Sequence, residues 1–292
     1  MELVRFTAVP SFVARTSPFL LAHEAHNNLL LGICAELAHN PHSFGPEPPL
    51  MCTVEEEGLV VLAALQTPPN KLVLSYTAHS AALDRLATAL AAEGQPLPGV
   101  QGARADAERF AQHWAAVRPV QIRPTMDLRI YQLTTVRPPA AVPGRMRRAT
   151  EADRPLLEAW LAAFHDEATP GVVASDKATV VTRWLTSPSR YLALWEDGEP
   201  VALAGATGPT PNGIRIGAVY TPPERRRRGY ASALVAALSQ HQLDAGKRFC
   251  FLFTDLRNPT SNHIYQAVGY QPVVDIAELR FVPAEEELHR DR

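Results

Sequence analysis

The chain is predicted to be an α/β protein made of two similar halves. Strand and helix signals alternate along it, one strand-turn-strand pattern occurs twice, and a proline-rich break lies near the middle. Its 292 residues suit two domains, and an apolar fraction of 46% is enough for a core in each.

The repeat pairs Val61 to Thr77 with Val201 to Thr221. Each reads as strand, Pro/Asn turn (Pro68-Pro69-Asn70; Pro209 to Asn212), strand, then Tyr-Thr (Tyr76-Thr77; Tyr220-Thr221). A helix, a short strand region and a second helix follow in both. Arg137 to Gly144, with Pro138, Pro139 and Pro143, reads as the linker, because proline denies both helix and ladder hydrogen bonds. The boundary therefore falls near Val142, giving domains 1–142 and 143–292.

In chain order, apolar periodicity predicts one helix within Pro18 to Leu37 and a hairpin of strands Gly58 to Gln66 and Lys71 to Thr77. A helix over Ala81 to Glu93, a loop over Gln95 to Gly102 and a helix over Ala105 to Val117 come next. Strands over Val120 to Arg123 and Leu128 to Thr134 close the first half. In the second half, Thr150 or Asp153 caps a helix carrying Leu156, Leu157, Trp160, Leu161 and Phe164. A second helix covers Asp176 to Leu185. Tyr191 to Trp195 and Pro200 to Gly208 form a hairpin on the Asp197-Gly198 turn. The strand Ile214 to Tyr220 leads through Pro222-Pro223 into a helix marked by Ala231, Leu234, Val235 and Leu238. Phe249 to Thr254 is a buried strand, Ser261 to Val268 a helix, and Val273 to Asp275 and Ile276 to Phe281 the last strands. The charged tail Ala284 to Arg292 is expected to fray.

The formal net charge of -2 offers no global attraction for a polyanion, so no nucleic-acid partner is expected. No apolar run is long enough for a bilayer, and the N-terminus lacks a signal-peptide pattern, so the protein is expected in the cytoplasm with no membrane partner. Cys34, Cys52 and Cys250 are scattered, which argues against a disulfide framework or a thiolate metal site. His23 with His26, and His39 with His42, lack sequence-near carboxylates or thiolates and read as packing or surface histidines, so no metal is expected.

The local signal for chemistry is Arg225-Arg226-Arg227-Arg228-Gly229-Tyr230-Ala231, set between a strand and an apolar-periodic helix. A helix N-terminus presents unpaired amides and partial positive charge, and Gly229 lets the backbone come close to an anion. This segment resembles the Arg/Gln-x-x-Gly-x-Gly/Ala signature of the GNAT superfamily of acyl-CoA-dependent N-acyltransferases. The block from Asp255 to Tyr270, with Asn258, Asn262, Tyr265 and Gly269-Tyr270, is similar to the family's next motif.

The resemblance implies two tandem GNAT-like domains, each a mixed, mostly antiparallel sheet flanked by helices, with splayed central strands in the C-terminal one. The first is degenerate, because Ala78-His79-Ser80 follows Tyr76-Thr77 and the arginine and glycine of the loop are gone. It further implies acetyl-CoA as cofactor, with Val219 and Thr221 along the pantetheine arm. Arg226, Arg228, Gly229, Tyr230 and Ala231 would receive the pyrophosphate; Arg227 faces solvent or the 3′-phosphate. Asn258 and Asn262 would contact the cofactor from beyond the fifth strand, and Tyr265 would be the general acid.

Many family members carry a glutamate on the motif strand, and Ile214 to Tyr220 contains no carboxylate. Glu167, with Asp166 and His165 beside it, is in the right region to act as a base through water, or is simply a charged helix end. The implied function is an N-acetyltransferase acting on a primary amine of a small molecule, by direct attack in a ternary complex, as monomer or homodimer. A protein or peptide N-terminus is the alternative acceptor, and a non-catalytic CoA-binding sensor the alternative class.

Overall fold

Period-two alternation along the strands decides which face each residue covers. In β3 (Leu59–Gln66), Leu62 and Ala64 face one apolar cluster while Ala63 and Leu65 face another. In β8 (Tyr191–Asp197), Ala193 and Trp195 face one layer and Leu192 and Leu194 the other. Both are therefore sheets covered on two sides by helices.

The computed structural model describes residues 1–168 and 176–284. Two compact units emerge, one holding Met1–Ile130, Thr254–Arg257 and the chain from Val273, the other Tyr131–Phe253 and Asn258–Pro272. Residues 131–142 pack with the second unit, and the chain from Val273 packs with the first.

In the first unit, β1 (Glu2–Phe6), β2 (Leu50–Glu56), β3 and β4 (Leu72–Leu74) pair in sequence, antiparallel throughout. β4 pairs in parallel with β5 (Gly99–Ala103). β5 is antiparallel to β12 (Gln271–Pro283), with Ile276 opposite Ala103 and Arg280 opposite Gly99. Helices α3 (Ser80–Ala92) and α4 (Arg104–Val117) bury Leu83, Leu86, Phe110 and Trp114 on one face. Helices α1 (Val9–Ala22) and α2 (Asn28–His39) bury Phe12, Leu20, Leu30 and Leu37 on the other.

The second unit repeats the pattern. β7 (Arg145–Arg148), β8, β9 (Glu199–Thr207) and β10 (Gly213–Tyr220) are antiparallel neighbours, and β10 pairs in parallel with β11 (Phe249–Asp255). Helices α7 (Tyr230–Asp244) and α8 (Pro259–Val268) cover one face; α5 (Arg154–Ala168) and α6 (Lys177–Thr186) cover the other. With β6 (Val120–Leu133), the order strand, two helices, three strands, helix, strand, helix, strand runs through both halves of the chain.

Several expectations need correction. The single helix over Pro18 to Leu37 is two, because Asn27 Nδ2 donates to Leu20 O and Asn27 Oδ1 accepts the Tyr76 amide, tying the break to a distant strand. β5 replaces part of the expected loop over Gln95 to Gly102. The paired strands expected at Val120 to Thr134 are one continuous strand, as are those at Val273 to Phe281. β1 and β2 lack an expected counterpart. The frayed tail lies outside the described residues, apart from Ala284. Asp153 completes a capping box with Thr150 ahead of α5, and Asp176 caps α6 through the Thr179 amide.

Trp184 of α6 lies on Gly205 of β9, where an added Cβ would come within 2.4 Å of the indole Cη2. Gly205→Ala is expected to destabilise the protein by about 1–3 kcal/mol, since the buried ring has nowhere to move. Chemical denaturation reads this directly, and an unchanged midpoint would mean that the indole is free to shift.

Candidate active site

The site begins where two parallel strands part. β10 and β11 pair only at Gly213↔Phe249, Ile214↔Cys250 and Arg215↔Phe251, although both strands continue. On its other edge β10 matches Gly217 to Gly205 and then Tyr220 to Leu203, so three steps on β10 oppose two on β9. That extra residue is a β-bulge, with Ala218 at φ +50°, and it re-aims the end of β10. Val219 then faces the α7/α8 layer, whereas Ala218 and Tyr220 face the α5/α6 layer.

From Tyr220 the chain passes Pro222 and a 3-10 turn over Pro223–Arg225 into α7. Arg227 (φ +62°) and Gly229 (φ +81°) are both left-handed, a local shape that turns successive amides toward one concavity. The first bond inside α7 runs from the Ala233 amide to Gly229 O, so the Tyr230, Ala231 and Ser232 amides have no intrahelical acceptor. A Cβ at Gly229 would stand 2.9 Å from Val142 Cγ1. The proline-rich segment is therefore docked rather than free, and the Pro143 carbonyl also accepts Trp195 Nε1–H at 2.8 Å.

The four arginines have different tasks. Arg225 pairs with Glu199, and Tyr230 donates its hydroxyl to Asp197 Oδ2 at 2.6 Å, so the β8–β9 turn anchors the loop. That bond, with burial adding to it, raises the Tyr230 phenol above its usual range. Arg226 donates Nε–H to Thr221 O at 2.9 Å, and Nη2 reaches both oxygens of Glu167 at 2.7 and 2.9 Å. Its guanidinium thus braces the loop against α5, and the carboxylate expected as a base is engaged by it. Arg228 interacts with the Tyr230 hydroxyl. Thr221 Oγ1 is enclosed and has no hydrogen-bond partner among the described residues.

Tyr265 shares the apolar cluster of Val219, Ile216 and Tyr230, is 9% exposed, and meets the Tyr270 ring edge-on at 6.1 Å. Its hydroxyl makes no hydrogen bond among the described residues, and burial pushes its pKa up to about 12. Asn258 Oδ1 caps α8 through the Ser261 amide. Asn262 donates Nδ2–H to Asn258 O at 2.7 Å and accepts the Tyr131 hydroxyl at 2.9 Å. Tyr131, absent from the sequence expectations, thus joins the second motif block. Burial pushes all three thiols, Cys34, Cys52 and Cys250, up to about 12, leaving no ready sulfur nucleophile.

Residues 152–270 match the model of the acetyltransferase (GNAT) family. Over that stretch the chain matches a GNAT acetyltransferase domain. Three solved structures share its fold over nearly the full length. A Drosophila protein is 13% identical with a TM-score of 0.67, and the match covers 97% of this chain and 99% of that one. A GCN5-related N-acetyltransferase from Sphaerobacter thermophilus is 18% identical with a TM-score of 0.59, covering 96% and 95%. A GNAT-family acetyltransferase from Colwellia psychrerythraea is 12% identical with a TM-score of 0.55, covering 97% and 100%. At such identities the likeness is one of fold. No curated protein matches the sequence. The GNAT domain is an acyltransferase domain, and its family uses acetyl-CoA. Among the described residues no helix is long and apolar enough to cross a membrane.

Proposed function

We propose that the GNAT domain moves an acetyl group from acetyl-CoA to a primary amine of a small molecule, by direct attack within a ternary complex. The parting of β10 and β11 beside the uncapped end of α7 carries this reading. A gap that exposes strand-edge groups lies next to a helix end rich in unpaired amides, which suits a long ligand with a phosphate terminus. The donor set fits such a ligand. Gly229 leaves a cradle that a Cβ would fill, Thr221 Oγ1 is an orphaned polar atom, and Arg227 and Arg228 are exposed cations.

Bound acetyl-CoA would supply an activated thioester carbonyl and a thiolate leaving group. The Tyr230 and Ala231 amides, with Arg228, would hold the phosphates, and Val219 and Thr221 would line the pantetheine arm. The main-chain N–H near Val219 would stabilise negative charge on the carbonyl oxygen. Tyr265 would give its phenolic proton to the departing sulfur. Glu167, solvent-facing and held by Arg226, would take the amine proton through water. In this scheme the C–N bond forms as the C–S bond breaks, and buried thiols support direct transfer over an acyl-cysteine.

We also read residues 1–142 as a degenerate copy of residues 143–292, a reading supported by the shared element order. In the first half α3 starts at Ser80 with no basic loop before it. Asp106 accepts the Thr77 amide there, placing an acidic group on the segment matching Thr221. The engagement of Glu167 by Arg226, together with the lack of a carboxylate on β10, favours a non-catalytic CoA-binding module as the second reading.

Calorimetric titration of the full chain with acetyl-CoA tests the proposal. One saturable site is expected. Two would return the first half to service, and an absence of binding would remove the acetyl-CoA reading.

A further inference from the structure

Arg215 sits at the vertex where β10 and β11 part, since Arg215↔Phe251 is the last pair between them. Ile214 and Ile216 face the α7/α8 layer, so alternation sends Arg215 to the opposite, α5/α6 face. There its Cζ lies 5.7 Å from the centre of the Phe253 ring, spanning from one diverging strand to the other. Nη1 is fully enclosed with no hydrogen-bond partner, and no carboxylate pairs with this guanidinium among the described residues. A second cation, Arg190, lies close enough to act on it electrostatically and stacks over Trp184 at 5.2 Å.

Burial, with Arg190 adding to it, brings Arg215 down to about 10, so it remains charged at neutral pH. A desolvated cation lacking a partner is costly to keep. Beside it the site has room. On the same strand face, a Cβ at Gly217 would meet no atom of the described residues within 4 Å.

We propose that Arg215, with Arg190 beside it, binds a carboxylate carried by one of the two substrates at the acyl-transfer centre. Assigning that carboxylate to a substrate rests on the acetyl-CoA reading given above. A thioester lying in the gap between β10 and β11 would present its carbonyl close to this vertex, so a carboxylate here belongs either to the acceptor, as in an amino acid, or to the acyl group, as in a dicarboxylic acyl-CoA. A guanidinium matches either through two parallel hydrogen bonds.

The test uses the full chain. In the acceptor arm, amino acids and their amides compete for acetyl-CoA. In the donor arm, succinyl-CoA is compared with butyryl-CoA on one neutral amine. A third arm measures melting temperature against succinate at constant ionic strength, without CoA. The expected result is a KM lower for the carboxylate form by about tenfold or more in one arm, the scale of one charged hydrogen bond. That preference should collapse in Arg215→Gln and return in part in Arg215→Lys. The melting temperature should rise with succinate in the wild type and not in Arg215→Gln. If the glutamine variant fails to fold, Arg215→Met, which removes the buried charge without leaving an amide behind, takes its place.

A preference that survives in the variants overturns the proposal. So does acetyl-CoA turnover with no carboxylate preference in either arm, which leaves the acetyltransferase reading intact. A succinate shift dependent on Arg215, without acetyl-CoA binding, supports the anion site and removes the acetyl-CoA reading instead. Where no amine turns over, the melting arm decides alone, and a flat response overturns the site.

Discussion

Replacing Gly229 by aspartate is expected to abolish acetyl-CoA binding while leaving the protein folded. Three effects act at this position. At φ +81° a side chain costs about 1–2 kcal/mol. The new Cβ stands 2.9 Å from Val142 Cγ1, a flexible methyl that can turn aside at small cost. Aspartate is a favoured N-cap and complements the α7 dipole, which offsets part of the strain. The fold therefore survives, but the carboxylate occupies the amides that a phosphate would need. Losing two charge-assisted bonds at about 1.5–3 kcal/mol each weakens binding by at least ~100-fold. Gly229→Ala carries the strain without the charge and should lose far less. Calorimetry with both variants, beside their melting curves, makes the comparison. An aspartate variant that is folded and binds normally would move the anion away from this helix end.

The loop at Gly229 was legible because its determinants are local. Pro222 and Pro223 end a strand, glycine supplies a left-handed turn, and apolar residues resume at helical spacing within six positions. What the sequence concealed was set by distant partners. Asn27 splits a continuous apolar helix pattern because its amide bonds Tyr76, 49 positions away. β5 reads as a loop because two of its five residues are glycine. Gly99 has to be glycine where β12 passes, a Cβ there falling 2.1 Å from Leu279 O, and that neighbour lies far along the chain. Pro124 suggests a break in β6, yet the strand runs through it.

The same distinction applies at the site. The arginine run announces charge, but whether each guanidinium meets solvent or a carboxylate depends on groups such as Glu167, 59 positions upstream of Arg226. Arg215 looks like an ordinary polar position in Ile-Arg-Ile-Gly. Only the divergence of β10 from β11, a property of the sheet, sets it apart, with no acid paired to it among the described residues.

Tyr265→Phe is expected to lower kcat by about 100-fold with acetyl-CoA affinity within twofold of wild type. General acid catalysis contributes roughly 10²–10⁴-fold, and efficiency falls as donor and acceptor pKa values separate. With its pKa pushed up to about 12 against a thiol near ~8.5, the phenol is a reluctant donor, which favours the lower end of that range. Glu167→Gln should cost less, because its carboxylate is already engaged by Arg226.

The fold should tolerate the Tyr265→Phe change, since the hydroxyl makes no hydrogen bond among the described residues. Alkaline unfolding supplies an independent check. The folded state keeps this phenol neutral up to about pH 12, whereas the unfolded chain ionises near ~10, so its contribution to stability is complete below ~10 and is lost as pH climbs toward 12. Over that window the wild type loses about 2–3 kcal/mol on this account, and the phenylalanine variant should be spared that share. Tyr270, also raised by burial, keeps the remaining slope. Retained turnover together with the altered alkaline limb would leave Tyr265 a packing residue and move the proton donor to solvent.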